Sequence, residues 1–494
     1  MGIVIRQSIV TTIISYAGVA IGYVNLLYLY PMILAPEQIG TLRTLQDAAL
    51  LFAPFAQFGV AQSIQRYFPQ FGSDQRQSGA FISLMLAASL AGFVLFAVVF
   101  MLFRSNIAAY FETNASDFLS YLTLTLWLTL ILVITAVMES YSRALLKTVM
   151  PALLRDLVVR TLLGGFVLLY FMGYLTFDQF ILSTLGAYLI CLIVLLLYLG
   201  QAGDLRLTWQ LPKLDPSLRK EMLRYSLFGF AGTAGMIIIG KIDSLMVAGM
   251  IGLSANAVYT TAFYMATVIE IPRRALSQVA MPLIARAFER NDMAEIGNLY
   301  QKTALNQFII GLLLLLGVAA NLNNLFALMP NGAIYAGGLV VVVVVGGGKL
   351  ADMFFGPSSE IIVLSRYYAF NIVLLLMLAA MTIVLNTVLI PIYGITGAAW
   401  SAAISLVLFN AIKFVFVWLK LGLQPFSAAF IKVFLIGAVT WGASYALPPL
   451  GGVLIDMVVR SAMMTMVFGG LVLLLRVSPD VNQLVARAWQ RLRG

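Results

Sequence analysis

The sequence predicts an all-α polytopic membrane protein with about 14 transmembrane helices, set out as two pseudo-symmetric six-helix lobes plus two C-terminal helices. Three observations carry this. Of 494 residues, 62% are hydrophobic and 10% are charged, with a mean hydropathy of +0.98, whereas a soluble globular protein is about 25% charged. The apolar residues fall in continuous blocks, most long enough for the ~20 residues a spanning helix needs. The short apolar–polar alternation of a membrane barrel is not seen.

Taken in order, the blocks place helices near 8–34, 38–65, 79–103, 118–146, 150–172, 178–200, 225–250, 255–284, 300–320, 336–356, 361–390, 394–420, 426–447 and 452–475. The first block is too long for a signal-peptide core and lacks a small-residue cleavage site, so it reads as a retained helix. The tenth contains "YAGGLVVVVVVGGGKLADMFFG" (335–356), whose valine run invites a strand. In lipid only helices and closed barrels satisfy the backbone, so it reads as helix, with its glycines allowing close packing or a bend. Its "GGGK" lacks the first glycine and the Ser/Thr of a P-loop. The start of the eleventh, "SSEIIVLSRYY", reads equally as a loop with an interfacial turn.

The basic residues sort by side. Arg6, Arg66, Arg76, Arg143, Lys147, Arg155, Arg160, the cluster Arg206, Lys213, Arg219, Lys220 and Arg224, then Arg286, Arg290, Lys302, Arg366, Lys420, Lys432 and the tail arginines all share one side. The other holds little beyond Arg104 and Arg460. The positive-inside rule then makes both termini cytoplasmic. It also accounts for the net charge of +10, so nucleic acid is not an expected partner. Cys191 is the sole cysteine and histidine is absent, which excludes a disulfide framework and a histidine proton relay.

The longest basic connection, "QAGDLRLTWQLPKLDPSLRKEMLRYS" (201–226), divides the chain. A shift of about 218 residues lays "RQSIVTTIISYAGVAIGYVNLLYL" on "RYSLFGFAGTAGMIIIGKIDSLMV". Both halves repeat a helix, a short outer turn and a long helix ending at a basic loop. The expected organisation is therefore an N-lobe at 1–200, a linker at 201–224, a C-lobe at 225–420, and helices 13–14 with a basic tail at 421–494. Parallel repeats of this kind hold their site between lobes near the midplane.

Charges at membrane depth are costly and normally face a wet cavity or one another. The second helix carries Arg43 and Asp47, the fourth Glu139 and Arg143, and the seventh Lys241 and Asp243. The eighth carries Glu270, Arg273 and Arg274, the tenth Lys349 and Asp352, and the twelfth Lys413. Spacings of three or four put Arg43 with Asp47, Glu139 with Arg143, and Lys349 with Asp352 on shared faces. Lys241 and Asp243 point to different sides. Lys413 is placed to snorkel toward the inner surface.

Outside the fourth helix, the cations Arg43, Lys241, Arg273, Arg274, Lys349 and Lys413 outnumber the anions Asp47, Asp243, Glu270 and Asp352 by two. A surplus of that kind suits a substrate that brings its own negative charge, such as a diphosphate. Arg43, Lys241, Arg273, Arg274 and Lys349 are accordingly the candidate substrate-binding cations. Asp47, Asp243, Glu270 and Asp352 are candidates for coupling or charge pairing. Pro272, in "EIPRRAL", is expected to loosen the eighth helix beside them. The plainer alternative is that both arginines only bridge helices.

The stretches "KIDSLMVAGMIGLSANAVYTTAFYMATVIEIPRRALSQVAMPLIARAFERND", "GKLADMFFGPSSEIIVLSRYYAFNIVL" and "LNTVLIPIYGITGAAWSAAIS" stand out in the second half. They resemble the bacterial polysaccharide-biosynthesis transporters, the lipid-linked oligosaccharide (O-antigen type) flippases of the multidrug/oligosaccharidyl-lipid/polysaccharide (MOP) exporter superfamily. The likeness extends to "APEQIGTLRTLQDAALLFAPFAQFGVAQSIQRYFPQF" near the amino terminus. It implies fourteen helices, a cation-lined cavity, and movement of an undecaprenyl-diphosphate-linked glycan to the outer leaflet of the bacterial inner membrane by alternating access. Expected partners are that glycan lipid, membrane lipid, and a polysaccharide polymerase or glycosyltransferases. No cofactor, metal site or catalytic residue is expected, and the coupling ion is open. A cation-coupled multidrug exporter of the same superfamily would want acids in the first lobe, but the first helix has none and Asp47 is accompanied by Arg43. A membrane glycosyltransferase or polymerase would want a large outer loop.

Overall fold

Residues 2–71, 74–203, 205, 207–208, 210, 212 and 215–493 are described by the computed structural model. Arg206 and Lys213 of the basic connection lie outside the described residues, as do the side chains of Arg6, Arg491 and Arg493.

Among the described residues the chain is helical, without strands. Helix α1 (Gly2–Val24) continues through a π-turn, Asn25–Leu29, into Tyr30–Ile33. Helix α2 has two pieces, Pro36–Gln57 and Val60–Tyr67, followed by α3 (Gln75–Leu102) and α4 (Leu122–Ala144). Helix α5 runs from Val149–Ala152 through a π-turn, Leu153–Val158, to Val159–Phe171. Helices α6 (Phe177–Gln201) and α7 (Pro216–Met250) follow. Helix α8 comprises Leu253–Thr267, a 3-10 turn Val268–Glu270, and Ile271–Glu289. Then come α9 (Met293–Ala320), α10 (Leu339–Phe355), α11 (Tyr368–Tyr393), α12 (Ile395–Leu421), α13 (Ala429–Tyr445), α14 (Val453–Leu474) and the tail helix α15 (Pro479–Arg493).

Ten of these helices are long and apolar enough to cross a membrane. The other members of the expected fourteen are α2, α5, α8 and the short α13. Helices α2, α5 and α8 are also the ones whose backbone is interrupted and whose apolar run carries ions. Local breaks in a membrane helix free backbone groups, so they occur where protein or water can satisfy them. In α8 the break falls at Glu270, beside Arg273 and Arg274.

Helices α1, α7 and α9 begin earlier than the sequence reading placed them, at Gly2, Pro216 and Met293, and two further boundaries differ. The eleventh helix begins at Tyr368, not near 361, because Ser365 is extended and ends a separate short helix, Ser358–Leu364. That short helix carries Glu360. The second helix is not continuous to residue 65: Phe58 and Gly59 both take positive φ, at 45° and 73°.

The chain packs as two compact units, Met1–Ala257 and Val258–Gly494, and α7 falls in the first. The reason is a seam in which α2 packs along α7 and, at one end, against the first turn of α8. Glu37 accepts from the Ser254 hydroxyl at one end, and a Cβ at Gly40 would overlap the Leu253 carbonyl there. Next to it, Asn256 of α8 donates its Nδ2 to Thr44 Oγ1 at 3.0 Å and accepts at Oδ1 from Ser244 Oγ of α7 at 2.9 Å, all buried. At the other end Gln62 donates to Thr233 (2.6 Å), the Ser63 and Ser226 hydroxyls meet at 2.7 Å, and Arg66 and Tyr67 both reach Glu221. Gly59 suits this end twice over. It reaches φ +73° without strain, and a side chain there would strike the Ser226 carbonyl.

In the second unit Phe308, Phe354 and Phe430 form an aromatic core, with centroids 5.2–5.5 Å apart. Gly348 of α10 lies against the Ala403 backbone of α12. This is the close packing that small residues permit in membranes. The α13–α14 turn is held by Arg460, which pairs with Asp456 at 3.0 Å and donates to the Ser444 carbonyl. Helix α15 is tied to α9 through Asn306, which donates to Asp480 at 2.9 Å.

Candidate functional site

The second unit gathers four cations around two carboxylates. The 3-10 turn Val268–Glu270 ends at Glu270, and Pro272 falls in the first turn of the helix that follows. Proline there gives up an N–H that has no partner at a helix start anyway. The expected loosening beside Pro272 is thus a tightened turn, and it presents Glu270 and Arg273 together.

Glu270 serves three cations. Its Oε1 lies 3.1 Å from Arg274 Nε and 3.4 Å from Arg273, and its Oε2 lies 2.6 Å from Lys349 Nζ on α10. Asp352, one turn on from Lys349, turns away from it. One Asp352 oxygen lies 3.0 Å from Arg273 Nε and the other 3.8 Å from Lys413 Nζ on α12. The Arg273 Nε–H is not aimed along its contact, which is an ion pair without a hydrogen bond. Lys413 also donates to Ser359 Oγ at 2.8 Å and stands 4.3 Å from the centre of the Phe409 ring.

Burial is graded across the cluster. Lys413 is 3% exposed, Lys349 13%, Arg273 24% and Arg274 70%. The Arg274 guanidinium is the part open to its surroundings, and Lys413 forms the back wall.

The first unit holds a smaller cluster. Lys241 Nζ meets Asp47 Oδ1 at 2.6 Å. Arg43 Nη1 lies 3.4 Å from Gln46 Oε1, and its guanidinium stands 5.7 Å from the Tyr30 ring centre. Asp243 is buried on α7 near the seam. Glu139 pairs with Arg143 at 3.2 Å, as spacing predicts, and also with Arg155 at 3.3 Å.

The structure thus brings Glu270, Arg273, Arg274, Lys349, Asp352 and Lys413 into one network, and Asp47 to Lys241. Two expectations change. Lys349 and Asp352 share a helix face but each takes a partner on another helix. Lys413, expected to snorkel, is buried against Asp352 and Ser359. Two ionic residues escaped the sequence reading. Glu360 interacts electrostatically with Arg273 and Lys413, and Asp156, in the π-turn of α5, accepts from Ser15 of α1 at 2.7 Å. Asp156 could have been found as an acid inside the apolar block "PALLRDLVVRTLLGG". Nothing in the sequence brings Glu360 back to α8.

A family model described as polysaccharide biosynthesis protein matches residues 4–288. The chain belongs to this family. The match spans α1 to α8 and takes in Arg43, Asp47, Lys241, Glu270, Arg273 and Arg274. No curated protein matches the sequence. Among solved structures the chain is similar to the lipid II flippase MurJ in an inward closed conformation, at 10% identity and TM-score 0.76, covering 95% of this chain and 98% of that one. It is also similar to an inward-facing multidrug resistance MATE transporter of the MOP superfamily, at 12% identity and TM-score 0.66, covering 85% and 98%. A third match is a MOP superfamily transporter from Pyrococcus furiosus described as having a binding pocket of reverse polarity, at 12% identity and TM-score 0.57, covering 85% and 95%. At these identities the likeness is one of fold: this member of the polysaccharide-biosynthesis family is a multi-pass membrane protein with the MOP-transporter fold.

Proposed function

We propose that this protein flips an undecaprenyl-diphosphate-linked oligosaccharide, a polysaccharide or O-antigen repeat unit, from the inner to the outer leaflet of the cytoplasmic membrane by alternating access. One observation carries the reading: four cations on three membrane helices share two carboxylates, with Glu360 adding a third negative charge nearby. A cluster with surplus positive charge at membrane depth favours an anion, and arginine forks suit phosphate oxygens held by two bonds at once. Arg273, Arg274 and Lys349 are the proposed head-group contacts. The glycan would occupy water and the prenyl chain would stay in lipid. Nothing in this cycle requires covalent chemistry or a nucleotide.

The polysaccharide-biosynthesis family supports a glycan cargo, and the fold shared with a lipid II flippase supports a lipid-linked one. The fold shared with a multidrug transporter supports a drug exporter equally well, but a cationic drug would meet four cations here. Arg273→Ala and Arg274→Ala, tested singly and together for surface-glycan display at matched protein levels, should abolish export in the double variant and in at least one single. Full export by the double variant overturns the diphosphate site.

A further inference from the structure

We propose that Lys413 is a positioning residue for the head-group site: it contacts no substrate, and it acts by dividing the charge of Asp352 so that Arg273 stays aimed and available. This rests on the diphosphate reading above.

The geometry separates Lys413 from the cations that could touch a ligand. Its side chain is 3% exposed, while Arg273 and Arg274 are 24% and 70% exposed. The amine is fixed on three sides, by Ser359 Oγ at 2.8 Å, by Asp352 Oδ1 at 3.8 Å and by the Phe409 ring at 4.3 Å. A well-packed apolar side chain would fill such a slot at lower cost than a buried charge. The charge therefore calls for a role, and Asp352 supplies one.

The two Asp352 oxygens are split, Oδ2 toward Arg273 and Oδ1 toward Lys413. With Lys413 removed, the whole carboxylate falls to Arg273. The guanidinium would then turn to Asp352 as an ordinary ion pair, and its open donors would be spent.

The test measures binding of a short-chain prenyl diphosphate to the full-length protein in detergent by calorimetry, with the prenyl alcohol as control. Lys413→Met should weaken diphosphate binding about tenfold or more, the scale of one misaimed charge-assisted hydrogen bond. Lys413→Arg should restore most of it. Because Lys413→Met strands Asp352 and could unfold the protein, the deciding comparison is Asp352→Asn against Asp352→Asn/Lys413→Met. The two should bind equally, since Lys413 acts only through that carboxylate. A further loss in the double variant, or wild-type binding by Lys413→Met, overturns the proposal. Arg273→Ala/Arg274→Ala separates the two levels. If that variant still binds the diphosphate, the head-group reading itself fails. If it loses binding while Lys413→Met does not, only the role of Lys413 fails.

Discussion

At the scale of single residues, the membrane ions were legible one by one but their partners were not. Each stands out because a charge at depth costs ~2.5–3.5 kcal/mol on insertion scales. Spacing along a helix proposes partners three or four residues away, yet it cannot weigh them against a residue on another helix. Lys349 bypasses Asp352 for Glu270 at 2.6 Å, and Lys241 finds Asp47, 194 positions away, at the same distance. Asp47 is 8% exposed, so losing its amine leaves a carboxylate stranded. Removing one member of a buried pair typically costs about 3–5 kcal/mol, while replacing both is often close to neutral. Lys241→Met should therefore lower the thermal unfolding midpoint in detergent, and Lys241→Met/Asp47→Leu should recover most of the loss. If the recovered variant still exports no glycan, Lys241 has a role in transport beyond stability. An unchanged midpoint for Lys241→Met would show that the pair does not hold α2 to α7.

At the scale of elements, the helices were readable from their apolar blocks, and the breaks were not. The π-turns in α1 and α5 have no sequence signal of their own. Phe58 and Gly59, which break α2, lie in a stretch that reads as continuous helix. Their cause is tertiary: Gly59 must let the second piece of α2 meet Ser226 on α7. The seam this creates joins one helix from each sequence repeat. In an alternating-access cycle the two repeats part at one membrane face at a time, so the seam must open from an end. Ser63 and Ser226, with hydroxyls 2.7 Å apart, mark its basic end. After replacement of the buried Cys191 by serine, Ser63→Cys/Ser226→Cys should form a disulfide under mild oxidation. Glycan export should stop, and reduction should restore it. Quantitative cross-linking with undiminished export would mean that this end of the seam never opens.

At the scale of the whole molecule, composition established the membrane class, and the sidedness of the basic residues is the basis for the proposed orientation. The division into compact units follows packing and puts α7 with α1–α6, while the sequence repeats would pair α7 with α8–α12. The difference is physical, because repeats record a helix's place in its lobe and packing records which seam is closed. Orientation sets the last expectation. If the basic loops face the cytoplasm and the cargo is the proposed diphosphate, it would move outward, away from a negative interior, and the field would favour its export. A charge crossing the full field is worth ~2.3 kcal/mol per 100 mV, so a dianion gains roughly twice that. In proteoliposomes carrying an imposed potassium diffusion potential, flipping of a prenyl-diphosphate glycan should accelerate as the side bearing the basic loops becomes more negative. A monophosphate analogue, carrying less charge, should respond less steeply. Cations on α2, α7 and α8 that move through part of the field would reduce both slopes together, so the difference between the two substrates is the informative quantity. Equal slopes, with a rate that follows a proton gradient instead, would shift the driving role to the carboxylates Asp47, Asp243, Glu270 and Asp352 and defeat the electrophoretic account.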